Sequence, residues 1–205
     1  MSLPDEIAAE RVIMADLLAG LSDAQLDTPS LCAGWSVRVV CGHVLVPLAI
    51  SRPRFLVALV QARGSLDRAS DNLARGVAAR PMAELVALLR ARAEAPSRAP
   101  SAQLADLQIH GQDIRRPLRL RRDFDAIRLH ATLEFLTSPA ARYGGAVRPG
   151  RLDGLRLVAT DLGWSSGLGP EVRGPAEALM LAMAGRKVVL DELVGDGLAA
   201  LADRA

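Results

Sequence analysis

The stretch Ser101-Ala-Gln-Leu-Ala-Asp-Leu-Gln-Ile-His-Gly-Gln-Asp-Ile-Arg-Arg-Pro117 reads as one helix. Ser101 can cap it, and Leu104, Leu107, Ile109 and Ile114 supply apolar positions at helical spacing. Pro117, which lacks an N–H and crowds the preceding turn, ends it. Working outward, Ser2 and Asp5 resemble a capping box with Pro4 in the first turn, and Ile7, Met14, Leu17 and Leu18 predict a helix that stops at Gly20. The segment from Ser22 to Trp35 is polar and broken by Thr28-Pro29 and Gly34, after which Ser36 predicts the start of a helix through Val37, Val40, Val44 and Leu48. Pro47 is expected to kink it, because the His43 carbonyl then has no helical N–H to accept from. Further helical patterns cover Asp67 to Ala79, Met82 to Ala93 and Asp125 to Leu136. Several antiparallel helices with short links predict a bundle, an architecture that places its sites on facing helices.

After Thr137-Ser138-Pro139 the pattern changes. Gly144-Gly145, Pro149-Gly150 and Gly154 mark loops, and Leu155 to Thr160 is short and partly alternating, as a half-buried strand is. Gly163 to Gly169 reads as a turn, Glu171 to Arg173 as a short returning strand, and Gly174-Pro175 as the opening of a helix that runs to Gly185. Leu190 to Leu201 adds a last helical piece. The expected organisation is mainly α, with a helical bundle over residues 1–140 and a small C-terminal α/β unit over 150–205.

Composition narrows the function. Half of the 205 residues are apolar, and 25 basic side chains stand against 23 acidic ones, so the chain is expected to bury a core rather than remain disordered. With aromatics at 3% and a net charge of +2, it has neither the stacking platforms nor the electrostatic footprint of a nucleic-acid binder. The longest uncharged stretch, Val39 to Ser51, is too short to span a bilayer. The acidic start MSLPDEIAAER argues against a signal peptide, and two cysteines cannot staple a fold of this size, so a cytoplasmic location is expected.

The chemistry-bearing residues are few. Asp106 and His110 lie four apart, on one face of their helix, and with His43 from the second helix they can hold one divalent metal ion. Two imidazoles and one carboxylate leave positions open, the pattern of catalytic zinc, and one that also suits iron or nickel. The plainer alternative is a solvated or salt-paired Asp and His. Asp113 can accept the ring N–H of His110, or pair with Arg115 or Arg116. Arg173 precedes a helix start and can hold a substrate carboxylate, or serve structurally by bonding neighbouring carbonyls. His130 reads as a surface residue. Cys32 and Cys41 fit no zinc spacing, and Cys41 reads as a buried apolar thiol. The run Arg115, Arg116, Arg119, Arg121 and Arg122 complements a helix C-terminus.

Four ordered segments carry a resemblance: Pro29-Ser-Leu-Cys-Ala-Gly-Trp-Ser-Val-Arg-Val-Val-Cys-Gly-His43, Ala105-Asp-Leu-Gln-Ile-His-Gly-Gln-Asp-Ile-Arg-Arg-Pro-Leu118, Arg156-Leu-Val-Ala-Thr-Asp-Leu-Gly-Trp164 and Val172-Arg-Gly-Pro-Ala-Glu-Ala-Leu179. Together they resemble the mycothiol-dependent maleylpyruvate isomerase family of the DinB-like superfamily. The resemblance implies a DinB-like four-helix bundle carrying a divalent metal, usually zinc, followed by a small C-terminal α/β unit. It implies His43, Asp106 and His110 as the metal ligands, with Asp106 standing where the family motif has Glu, one methylene longer. It further implies mycothiol as co-substrate and an isomerase or S-transferase reaction on a small electrophile that bears a carboxylate. In that reading the metal favours the thiolate, Asp113 orients His110 and Arg173 anchors an anionic group. The alternatives are a non-catalytic metal- or ligand-binding module of the same fold and a metal-dependent hydrolase that needs no thiol.

Overall fold

Ser2 closes the first helix as the sequence predicts. Its N–H and Oγ both donate to Asp5 Oδ2 at 2.8 Å, and α1 runs Leu3–Ala19. The computed structural model describes residues 2–204, and α1 is the first of eleven α-helices among them. They continue with α2 (Asp23–Leu26), α3 (Val37–Ala49), α4 (Arg52–Gln61), α5 (Leu66–Ala78), α6 (Met82–Ala91), α7 (Pro100–Arg115), α8 (Ala126–Thr137) and α9 (Pro139–Tyr143). Then come β1 (Arg156–Ala159), β2 (Trp164–Ser166), β3 (Glu171–Gly174), α10 (Ala176–Met183), a 3-10 helix over Lys187–Glu192 and α11 (Leu198–Asp203). The expected class, mainly helical with a small C-terminal sheet, is the observed one.

Contacts divide the chain into two compact units. One takes the chain up to Arg98 together with His110–Arg121; the other takes Ala99–Ile109 and the chain from Arg122 onward. In the first unit α3 packs along α5, α1 along α6, and α3 also touches α6. Ile7, Met14, Leu18, Val40, Leu45 and Leu85 are among its buried side chains. Arg11, only 1% exposed, is buried on α1 for a specific reason: its Nη1 donates to the carbonyls of Arg92, Ala93 and Ala95 at 3.1, 2.7 and 2.6 Å. It thereby fastens α1 to the chain just past the end of α6.

α3 and α5 approach so closely at Gly42 that a β-carbon there would collide with the Ala74 carbonyl oxygen. It would also lie 2.8 Å from Ala78 N and 2.9 Å from Ala78 Cβ. Only glycine fits against this backbone.

In the second unit the strand order is β2-β1-β3. β1 pairs antiparallel with β2, with Ala159 opposite Trp164, and parallel with β3, with Arg156 opposite Glu171. Leu133, Leu157, Val172, Leu179 and Met183 fill the core beneath the sheet. Trp164 Nε1 donates to Glu134 Oε1 at 2.6 Å and ties β2 to α8. Asp161 Oδ1 accepts the Ala176 N–H at 2.8 Å, a cap for α10 supplied from the β1–β2 connection.

Several expectations need correction. Ser101 lies inside α7, which starts one residue earlier at Pro100; a first-turn proline has no N–H to satisfy, and the Ala99 carbonyl accepts the first helical bond, from Gln103 at 2.9 Å. The Gly163 to Gly169 segment is only partly turn, because Trp164–Ser166 forms β2. The strand at Glu171 does not return antiparallel but runs parallel to β1, since β2 has already taken the antiparallel edge. Three helices were not expected: α2, whose cap is Ser22 accepting from the Gln25 N–H at 3.3 Å, α4 and α9. The Leu190 to Leu201 piece divides into the end of the 3-10 helix and α11.

Gly42→Ala should destabilise the protein by about 1–3 kcal/mol, the usual cost of overpacking where backbone cannot yield. Urea unfolding followed by circular dichroism measures it.

Candidate metal and thiol site

The loop ahead of α3 is built to hold two side chains. Thr28 and Val37 close it, the Val37 N–H donating to the Thr28 carbonyl at 2.9 Å, and the Ser30 N–H donates to the Trp35 carbonyl at 3.0 Å. Gly34, at φ +77°, makes the turn at its tip. Arg38 binds this region to α2 through Asp23 and Asp27 at 3.0 and 3.3 Å. The Leu31 N–H donates to the Asp113 carbonyl at 3.2 Å, so the loop is fastened to the end of α7. Cys32 and Trp35 project from this frame.

His43 follows Gly42 on α3, and Ser70 stands one turn before Ala74 on α5. The close backbone approach therefore brings Ser70 Oγ to 3.1 Å from His43 Nδ1. The Trp35 ring lies 5.1 Å from the His43 ring, and its Nε1 donates to Asp71 Oδ1 at 2.7 Å. Arg75, one turn on, bonds the same carboxylate and holds Asp71 below the usual carboxylate range; burial opposes this, and the Trp35 N–H adds to it.

On α7 the His110 Nδ1–H donates to Asp113 Oδ2 at 2.8 Å, with the Asp113 side chain fully buried and that of His110 12% exposed. The Cys32 thiol donates to the same oxygen at 3.1 Å and lies 3.7 Å from His110 Nδ1. The His43 and His110 rings meet edge to face at 4.7 Å. Both imidazoles are thus held at Nδ1, which leaves Nε2 as the nitrogen that a metal would use.

Two groups of metal-ligating side chains result, both containing His110. His43, Asp106 and His110 each offer one ligand atom within 4.8 Å of the others, and so do Cys32, His110 and Asp113. The first is the trio expected from the sequence. Its chemistry fits a divalent ion: two neutral imidazoles and one carboxylate, with the second nitrogen of each ring already held. Asp113 stands where a ring-orienting carboxylate belongs. Arg173 lies in β3, half exposed, its Nη1 3.9 Å from Glu171 Oε2 and its backbone N–H and carbonyl bonded to Val194 at 2.8 and 2.9 Å. His130 is exposed on α8. Cys41 is fully buried, and burial pushes its thiol up to about 12, so it stays protonated and inert.

Residues 7–107 match the family model of the mycothiol maleylpyruvate isomerase N-terminal domain. The resemblance carried by the motifs is thereby borne out. Two crystal structures share the fold: that of the mycothiol-dependent maleylpyruvate isomerase, at 16% identity and a TM-score of 0.53, and that of an alanine-for-histidine mutant of it, at 15% and 0.57. Each likeness covers 96% of this chain and 95% of the other. No curated protein matches the chain. Among the described residues no helix is long and apolar enough to cross a membrane.

Sequence reasoning missed three residues of this site. Trp35 and Cys32 lie within the quoted motif, and their company with Gly34 in a tight loop was the available signal. Ser70 carried none, because only the α3–α5 contact places it.

A divalent ion on the His43 group has a measurable consequence. Asp113→Asn should weaken zinc binding by about 10–100-fold, the usual cost of losing a ring-orienting carboxylate, and His110→Ala should abolish it. Competition with a chromogenic chelator reads both.

Proposed function

We propose that this protein is a metal-dependent, thiol-using enzyme of the isomerase or S-transferase type, with mycothiol as co-substrate and a small carboxylate-bearing electrophile as substrate. The observation that carries the reading is the convergence of His43, Asp106 and His110 within 4.8 Å inside or just beside a segment matched by an isomerase-family domain. These three residues would hold the cation, with zinc the best fit to the donor set and nickel or iron as alternatives. When bound, the cation supplies a positive charge that favours thiolate over thiol near neutral pH.

The protein's own groups do the rest. Asp113 accepts the His110 Nδ1–H and fixes the orientation of the ring. Ser70 Oγ holds His43 at Nδ1, and the Trp35 ring limits where that imidazole can tilt. Asp113 is thus a positioning residue. Arg173 is assigned to an anionic group of the substrate, on the strength of its half-exposed guanidinium and its place just ahead of α10. In an isomerase the thiolate sulfur adds to one carbon of an activated double bond, the remaining single bond rotates, and elimination returns the thiolate and the isomerised alkene. The two free thiols among the described residues suit a reducing cytoplasm.

Turnover of a cis-configured, carboxylate-bearing alkene such as maleylpyruvate should require both mycothiol and metal. It should fall to background in His43→Ala and His110→Ala while their circular dichroism stays unchanged. Steady-state kinetics with and without thiol provide the test. Metal-dependent turnover that ignores thiol would make the protein a hydrolase instead, and bound metal with no turnover a binding module.

A further inference from the structure

One buried charge in the second unit has no counter-charge among the described residues. Arg151 ends the turn Arg148-Pro-Gly-Arg151, its N–H donating to the Arg148 carbonyl at 3.2 Å, and only 4% of the residue is exposed. Its Nε and Nη1 are sealed from solvent and meet no hydrogen-bond acceptor. Arginine does not lose its proton inside a protein, so this is a fixed positive charge in a low dielectric. Buried polar groups left open in this way call for an explanation, an ion among them.

The neighbouring backbone does not supply one. The guanidinium lies face-on against Gly185, where a β-carbon would stand 2.5 Å from Nη1, 3.0 Å from Cζ and 3.1 Å from Nη2. Gly185, at φ +88°, closes the end of α10: its own N–H donates to the Ala182 carbonyl and that of Arg186 to the Leu181 carbonyl, both at 2.9 Å. Those carbonyls are taken by the helix end itself. Asp153, the acid in the same loop, pairs with Arg142 at 3.1 Å. What surrounds Arg151 is more positive charge. Arg148 and Arg186 both repel it and, after the larger effect of burial, add to a downward shift of its pKa. Arg186 is braced by its Nη1 donating to the Ala184 carbonyl at 2.6 Å, while Arg148 is exposed on the loop.

We propose that Arg148, Arg151 and Arg186 form a binding site for one small oxyanion, a carboxylate or a phosphate. Nη2 of Arg151, which is not among the sealed, unpartnered nitrogens, is the edge that the anion meets. Arg148, exposed on the loop, and Arg186, just past the end of α10, are the two charges that act on Arg151. Sealing Nε and Nη1 away from water strengthens the field at the remaining edge, because nothing screens the charge from behind. The planar fork of a guanidinium suits the paired oxygens of either anion. This site is argued without the thiol chemistry and does not depend on it.

Isothermal titration calorimetry on the full chain, at constant ionic strength in chloride, tests it with phosphate in one arm and malonate in the other. Wild type should bind one equivalent of at least one of them at millimolar concentration or below. The exposed-site variant Arg148→Gln should bind about tenfold more weakly, the cost of one charged hydrogen-bonding partner. Arg151→Met should not bind. Tighter binding of phosphate would assign the site to a free or esterified phosphate, and tighter binding of malonate to a carboxylate ligand. No binding of either anion to wild type, or equal binding by wild type and Arg148→Gln, overturns the proposal. Should Arg151→Met fail to fold, the Arg148→Gln comparison decides alone.

Discussion

The contact of α3 with α5 at Gly42 is the constraint on which the candidate site depends. Two helices whose side chains interdigitate normally keep their axes 8–10 Å apart, roughly, and one residue without a β-carbon lets the backbones come nearer. The residue after Gly42 is His43, and the residues a turn before Ala74 are Ser70 and Asp71. The approach therefore delivers a hydroxyl to His43 Nδ1 and a carboxylate to the Trp35 indole N–H. One missing methyl group in the sequence sets a helix spacing, the spacing selects hydrogen-bond partners, and the partners aim an imidazole.

Buried charge is treated in three ways in this chain, and the contrast is informative. Arg11 has three carbonyl oxygens gathered on its Nη1 where the chain leaves α6. Asp113 is fully buried and accepts from two donors, an imidazole and a thiol, which is what a desolvated carboxylate requires. Arg151 has neither arrangement on Nε and Nη1. Arg11 leaves only Nε without an acceptor and Arg151 leaves both Nε and Nη1, so Arg151 is the charge to examine for a ligand.

Much of this was legible from sequence where the cause is local. The Ser2–Asp5 box, the ends of α1 and α5 and the start of α10 follow from residues within one turn of each other. Asp106 and His110 could be placed on one helix face from their spacing alone. What the sequence hid was set at a distance. α4 leaves Leu56, Val57 and Val60 largely exposed, so the apolar periodicity that marks a core-facing helix does not mark this one. The parallel pairing of β3 depends on which edge of β1 was already occupied, a fact about neighbours in space. Ser70 is one serine among several until α3 packs against it, and Cys32 reads as a stray thiol until Leu31 is fastened to the Asp113 carbonyl.

Pro47 belongs to the same logic. The helix continues through it to Ala49, yet the proline denies the His43 carbonyl its usual helical donor. The ring compensates. Ser70 at Nδ1 and the rings of Trp35 and His110 on either side restrain the imidazole independently of that missing bond. His110 is restrained in the same manner by Asp113. Both imidazoles are thus oriented by protein groups within the fold itself. A ligand taken up there would not have to order these rings first, since the entropy of ordering them is already spent in folding.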